Sequence, residues 1–304
     1  MTNNYHTPVL LQPTIDALQI KPSGIYVDCT LGGGGHANAI LSKLNAQGRL
    51  IVFDQDEDAK ANVPNQPNVL FIHSNFRNLQ RMLRLHGVNV VDGILADLGV
   101  SSHQFDAAHR GFSTRYNAPL DMRMDNRNTT TAANLLATYT ELQLHKMLEQ
   151  YGEVTNAKTL AKTLVASRQL TAINTIDDLK NILAQFVKGN PNKYYAQVFQ
   201  AIRIAVNEEL AALEELLLQL PNVLCMGGIV AVITFHSLED RLVKNYFKKG
   251  SFLENEIEEN PFSTEVKKMP FKALTKKPIE ATKEELKINN RSRSAKLRVA
   301  QRIH

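Results

Sequence analysis

Residues 24 to 36, Gly-Ile-Tyr-Val-Asp-Cys-Thr-Leu-Gly-Gly-Gly-Gly-His, constrain this chain more than any other stretch. An apolar run closing on Asp28, a turn with four consecutive glycines and then helical spacing predict a strand feeding a glycine loop at a helix N-terminus. Without Cβ atoms, Gly32 to Gly35 are free to take positive φ and to bring main-chain N–H groups against a ligand. Ala37, Ile40, Leu41 and Leu44 then repeat at helical spacing, and Gly48 stands where a C-terminal cap belongs. Leu50 to Phe53 returns as an apolar strand ending in an acidic cluster. The segment is one βαβ unit, which calls for a parallel sheet.

Asp54 lies about 20 residues beyond the glycines, where such units keep a carboxylate for the two hydroxyls of a ribose. A nucleoside-bearing cofactor is therefore indicated. The dinucleotide pattern G-x-G-x-x-G is matched only loosely, and Ala37 stands where a third spaced glycine would close it. S-adenosylmethionine needs no pyrophosphate cradle, and Asp28 suits its amino-acid portion. A glycine turn that holds nothing is the competing reading.

Further along, Val69 to Asn75 predicts a third strand with Phe76 at its C-terminal end, the edge where doubly wound sheets hold ligands and an aromatic can pack on an adenine. A core phenylalanine fits that position equally. Val90 to Leu98 predicts a fourth strand carrying Asp97 at the active-site rim. Strand periodicity then vanishes for about 120 residues. Arg110, Arg115, Arg123 and Arg127 interleave with Phe105, Phe112 and Tyr116, a mixture suited to single-stranded RNA, and helical stretches follow. One of these is opened by Thr175 and Asp178 as a capping pair. A long helix from about Tyr194 to Leu220 leads back, Pro221 ends it, Gly227-Gly228 turns, and Ile229 to Phe235 forms a buried fifth strand. Phe271 to Ile279 and Lys296 to Ile303 are expected to pair antiparallel at the sheet edge, with Asn289 to Arg293 between them as a phosphate contact. The layout is α/β with an inserted all-helical domain: residues 1–105 and 215–304 form the sheet domain and 106–214 the insertion.

At 304 residues, 43% hydrophobic and 21% charged, the chain is an ordinary globular one, long enough for two domains. No apolar run approaches the roughly 18 residues of a membrane span, so no membrane partner is expected. The polar start Met1-Thr2-Asn3-Asn4 does not read as a signal peptide. Two cysteines, Cys29 and Cys225, exclude a disulfide framework and point to a reducing cytoplasm. The net charge is +5, and from Phe262 to His304 twelve Lys/Arg stand against four Glu, directly after the acidic run Glu254, Glu256, Glu258 and Glu259. That basic section is either a phosphate-tracking surface or a solvated face. His236, Glu239 and Asp240 have ligand chemistry at helical spacing, but acids in a first helical turn are ordinary, so no metal is assigned. Ser237 lacks the G-x-S-x-G elbow of a hydrolase nucleophile.

Asp97-Leu-Gly-Val-Ser-Ser102, Pro119-Leu-Asp-Met-Arg-Met-Asp125 and Phe235-His-Ser-Leu-Glu-Asp-Arg241, with Tyr5 to Leu11, Val27 to Ala37, Gln200 to Leu210 and Asn290 to Arg302, resemble the bacterial 16S ribosomal RNA cytosine-N4 methyltransferase family. The resemblance implies a Rossmann-like class I methyltransferase sheet, S-adenosylmethionine as cofactor and methylation of the exocyclic N4 of a cytidine in the decoding centre. It implies cofactor contacts at Gly34, Gly35, His36, Asp54, Phe76, Asp97 and Gln104, and a cytoplasmic enzyme acting on 16S ribosomal RNA or the small ribosomal subunit. A homodimer is left open. The acidic-or-Asn-Pro-Pro-aromatic tetrapeptide of the wider amino-methylase class is replaced by Asp97-Leu98-Gly99-Val100, so no aromatic follows Asp97 to stack on the base.

The cytosine amino group is a poor nucleophile because its lone pair is delocalised into the ring. Asp97 and a neighbouring main-chain carbonyl are the candidate acceptors for its hydrogens, which makes Asp97 the catalytic candidate as well as a cofactor contact. No cysteine adduct is required. A nicotinamide-dependent oxidoreductase would also use Asp54 on a ribose, and calorimetry with the two cofactors separates the readings. A non-catalytic RNA-binding protein would bind RNA equally with or without cofactor.

Overall fold

The computed structural model describes residues 8–252 and 269–304. The lead Tyr5-His6-Thr7 and the acidic run around Glu254 to Glu259 lie outside the described residues. The chain divides into two compact units, residues 1–99 with 210–304, and residues 100–209.

In the first unit, α1 (Leu11–Leu18), β1 (Ile25–Asp28), α2 (Gly35–Leu41), β2 (Arg49–Asp54), β3 (Val69–His73), α3 (Leu79–Leu85) and β4 (Val91–Asp97) precede the insertion. The second unit holds α4 (Ser102–Asp106), α5 (Ala132–Thr138), α6 (Glu141–Gly152), α7 (Ala157–Leu170), α8 (Ile176–Ala184) and α9 (Pro191–Asn207). The chain then returns through α10 (Glu209–Val223), β5 (Leu224–Thr234), α11 (Ser237–Lys249), β6 (Phe271–Ala273), β7 (Ile279–Glu280), α12 (Lys283–Ile288) and β8 (Lys296–Arg302). The sheet runs β3-β2-β1-β4-β5-β8-β6, with β7 also on β8. The first five strands are parallel, and β8 is antiparallel to β5, β6 and β7. This is the expected α/β class, a parallel sheet with a reversed end.

Both faces of the sheet are covered, which is why its strands read as continuous apolar runs. Side chains alternate by strand geometry. Val27, Ile51, Ile94 and Val232 pack with Leu213, Leu216 and Leu220 of α10, whereas Tyr26, Leu50, Val52, Leu95 and Ala231 pack with Leu18 of α1 and Ile40 of α2. Among the described residues of the second unit there is no strand, only an isolated bridge from Pro119 to Thr175. Its helices start where Thr131, Thr140 and Thr175 close capping boxes with Asn134, Gln143 and Asp178, the last as the sequence indicates. No described helix is long and apolar enough to cross a membrane.

Four local expectations are corrected. The helix predicted over 194–220 is two helices, α9 and α10, because Glu208 takes a left-handed φ of 50°. Pro221 does not end α10 but sits in its last turn, where it removes one i→i−4 hydrogen bond. Gly227-Gly228 is not a turn before the fifth strand: β5 already starts at Leu224 and passes through the glycines, where its register with β4 shifts between Val91 and Gly93. The predicted strand over 271–279 is likewise two short pieces, β6 and β7, both antiparallel to β8 as expected.

Candidate active site

Neighbouring strands β2, β1 and β4 end at one edge of the sheet on Asp54, Asp28 and Asp97. Asp28 is fully buried; its Oδ1 accepts the Thr30 N–H at 3.0 Å, and its Oδ2 has no hydrogen-bond partner. The Thr30 hydroxyl oxygen in turn accepts the Asp97 N–H at 2.7 Å, tying the loop after β1 to the end of β4. Asp54 is held from both sides, Oδ2 accepting from Gly32 N at 2.8 Å and Oδ1 from Asp56 N at 2.8 Å. The Asn62 amide donates to the Gly32 carbonyl at 2.7 Å, so the glycine loop is fixed without a ligand. Asp97 Oδ1 is buried and, like Asp28 Oδ2, unpartnered.

Burial of acids without a cation disfavours their charged forms. Burial, reinforced by the Asp54 charge and opposed by the Thr30 N–H, pushes Asp28 up to about 7. Burial lifts Asp54 to about 6 against the pull of the Asp56 and Gly32 N–H groups. Asp97 rises well above the carboxylate range through burial, with Asp28 and then Glu239 adding like charge. His36, also buried, is lowered to about 4. Its Nε2 donates to the Val9 carbonyl at 3.1 Å, leaving the Nδ1 lone pair 3.6 Å from Asp97 Oδ2. A neutral imidazole facing a proton-bearing carboxyl is the arrangement these shifts agree on.

The fold thus brings Gly34, Gly35, His36, Asp54 and Asp97 together around Asp28. Phe76 follows β3 at the same edge, half-buried in a short helical turn, where Asn75 hydrogen-bonds Gln55 at 2.7 Å beside Asp54. Gln104 belongs to the second unit, buried, with its side chain closing a capping box on Ser101 at the start of α4. The glycines also have close neighbours within the protein. Gly34 has φ +76°, and a Cβ on it would lie 2.7 Å from the Asn62 carbonyl; a Cβ on Gly35 would run into the Pro8 ring. Gly35 therefore also permits close packing against Pro8. Sequence reasoning missed Thr30 and Asn62. An Asp at a strand end two residues before Thr30 signals an Asx turn, whereas Asn62 has no local signal.

Of the trio His236, Glu239 and Asp240, His236 and Glu239 meet at 3.1 Å, whereas Asp240 is directed elsewhere. Asp240 is bound to Arg298 at 2.6 and 3.0 Å, while Glu239 closes a capping box at the start of α11 and accepts from Phe235 N at 2.8 Å. The arginines of the second unit are also mostly committed internally. Arg110 is buried and donates to the Arg123 and Met124 carbonyls; Arg123 forks onto Asp121 and reaches the Asn126 and Asn128 carbonyls; Arg127 pairs with Asp125 at 2.8 Å. Arg115 alone of the four is both exposed and stacked on an aromatic, its guanidinium 5.6 Å from the Phe105 ring centroid. In the run Asn289 to Arg293, Asn289 and Ser292 are buried and Arg293 is exposed, so only part of it faces solvent as a phosphate contact would.

A family model described as the MraW methylase family matches residues 3–303. The chain belongs to the MraW methylase family. A protein of Flavobacterium johnsoniae named ribosomal RNA small subunit methyltransferase H is 50% identical over 99% of this chain and 99% of its own length. One of the same name from Cytophaga hutchinsonii is 50% identical over 98% of this chain and 99% of its own. Among solved structures, an rRNA methylase from Streptococcus thermophilus aligns at 12% identity over 99% of this chain and 100% of that one, with a TM-score of 0.42. The chain is thus a methyltransferase, as its motifs imply, and the S-adenosylmethionine expected from the glycine loop and Asp54 is the donor that goes with it. The residues fit that donor: it carries an ammonium and a sulfonium, and the site offers two buried carboxylate oxygens that lack a partner.

Proposed function

We propose that this enzyme transfers a methyl group from S-adenosylmethionine to the exocyclic N4 of a cytidine in the decoding centre of 16S ribosomal RNA. The observation that carries the reading is the pair of unpartnered buried oxygens, Asp28 Oδ2 and Asp97 Oδ1, on adjacent parallel strands beside a locked glycine loop. A site that buries acids and leaves them unpaired is built for a cationic guest. The names of the half-identical relatives support the small-subunit RNA as substrate, and the resemblance of Asp97 to Ser102 and Pro119 to Asp125 supports the cytosine amino group. Such a reaction belongs in the cytoplasm, where that subunit is assembled.

When bound, the donor supplies an electrophilic methyl on sulfur. In our reading Asp54 holds the ribose hydroxyls, since each of its oxygens keeps a lone pair beyond the N–H it accepts. Gly34, Gly35, His36 and Phe76 line the adenosyl and amino-acid portions. Asp28 balances cationic charge. Asp97, once ionised, accepts hydrogen from the target amino group or holds the donor. The second unit, 100–209, recognises the RNA.

The test is mass spectrometry of nucleosides from small-subunit RNA of cells lacking the gene. N4-methylated cytidine should disappear, return with the wild-type gene and stay absent with Asp97→Ala. Unchanged N4-methylcytidine in the deletion strain would overturn the assignment of substrate, and full restoration by Asp97→Ala would remove that carboxyl from the mechanism.

A further inference from the structure

The loop between the buried Ser113 and the buried Ala118 is held at several points. Ser113 Oγ accepts the Arg115 N–H at 3.3 Å, Lys180 of α8 donates to the Thr114 carbonyl at 3.3 Å, and Asn117 Oδ1 accepts the Asp177 N–H at 3.2 Å. The Ala118 carbonyl accepts from Ile176 N at 2.9 Å and Leu120 N donates to the Asn174 carbonyl at 2.9 Å. At its base Gly111 has φ +73°, and a Cβ there would lie 2.5 Å from the Pro119 carbonyl oxygen. A surface loop tied down this fully is pre-organised, and it presents Arg115, Tyr116 and Asn117 to solvent, the last with its side-chain oxygen engaged by Asp177 N.

Arg115 lies over the Phe105 ring, and Tyr116 is 56% exposed. The guanidinium carbon stands 5.6 Å from the ring centroid on an exposed side chain, so solvent reaches the group. A guanidinium is flat, weakly hydrated and cationic, a surface on which nucleobases stack. Phe105 is half-buried against the core of the second unit, so the bottom of the stack does not move. The nearest acids of α8 are already engaged, Asp177 lying 3.8 Å from the Lys180 ammonium and Asp178 accepting from the Thr175 N–H. The other three arginines of the loop region are taken up by carboxylates and carbonyls, as described above.

We propose that Arg115 and Tyr116 form a stacking platform for an unpaired nucleobase of the RNA, the base extending the Phe105–Arg115 stack. This rests on the reading of the substrate as RNA. A phosphate contact would need only the charge of Arg115; a stack needs its plane.

The chain contains no tryptophan, so Tyr116→Trp places a single indole reporter at the platform. Emission of that variant should be quenched by an RNA oligonucleotide with unpaired bases and not by inorganic polyphosphate. Arg115→Ala should raise KM for small-subunit RNA about tenfold, with the loss falling on KM rather than kcat and with donor affinity by calorimetry unaltered. Arg115→Lys should lose as much, since it keeps the charge without the plane. Wild-type KM in Arg115→Lys, or undiminished indole emission with RNA saturating by anisotropy, overturns the platform. Failure of the wild-type enzyme to methylate small-subunit RNA would instead strike the proposed function, and the fluorescence titration would still decide whether a base stacks here.

Discussion

Asp28 shows how much of this site is decided by one side chain in a dry place. Burial lifts it to about 7, so between the ordinary carboxylate range and that value the folded chain holds a proton that the unfolded chain has released. Its contribution to stability is complete below about pH 4 and is lost as pH rises through about 7. Asp54, lifted to about 6, acts with the same sign, whereas His36, lowered to about 4, acts with the opposite sign between about 4 and 6.5 because there the unfolded chain binds more protons. The difference between wild type and Asp28→Asn isolates the one group. Without donor, the melting temperature of the wild type should fall more steeply than that of Asp28→Asn as pH is raised from about 4 to about 7. A cationic guest reverses the preference, drawing Asp28 toward its ionised form, so donor binding near pH 6 should release a proton in the wild type and less than that in the variant. Calorimetry in buffers of different ionisation heat reads this directly, and equal proton release in the two proteins would show that Asp28 does not face the donor.

Elements were legible from sequence where their cause is local. The βαβ unit follows from Ile25 to Asp54 because apolar runs, glycines and helical spacing lie within one stretch, and the start of α8 follows from Thr175 and Asp178 alone. The break between α9 and α10 was not legible, because apolar spacing continues across it. Asn207, at the end of α9, accepts from Met124 N at 2.7 Å and donates to the Met122 carbonyl at 2.7 Å, partners more than 80 residues away that no window reveals. In the site, Asp54 and Asp97 were placed by their position at strand ends. The reason for Gly35 was not, since it depends on Pro8 arriving against the start of α2. Gly35→Ala should therefore act through packing: the new methyl displaces Pro8 and with it the Val9 carbonyl that holds His36. A loss of about 1–3 kcal/mol in urea unfolding is expected, together with weaker donor binding. Unchanged stability with weakened binding would return Gly35 to the ligand-approach role read from the sequence.

For the whole molecule the question is where its charge acts, since a net +5 is small for a protein that binds a polyanion. Part of the basic C-terminal section is structural: Arg298 and Lys296 lie on Asp240, and Arg302 donates to the Leu224 and His304 carbonyls. Lys272, Lys276, Lys277, Lys283, Lys287 and Arg293 remain exposed, so the section is a surface of modest cation density attached to a sheet edge. If it tracks phosphates, affinity for RNA falls with salt at a slope set by the number neutralised, about 0.7 per contact on a single strand. Replacing Lys276 and Lys277 by Gln should then flatten that slope by about 1.4 and weaken RNA binding, while donor binding keeps its affinity. A stacked base releases few counterions, so Tyr116→Ala should weaken RNA binding with the slope intact, which separates the flat contact from the charged one in the same titration. An unaltered slope in the double lysine variant would make this section a solvated face and leave phosphate recognition to other cations of the chain.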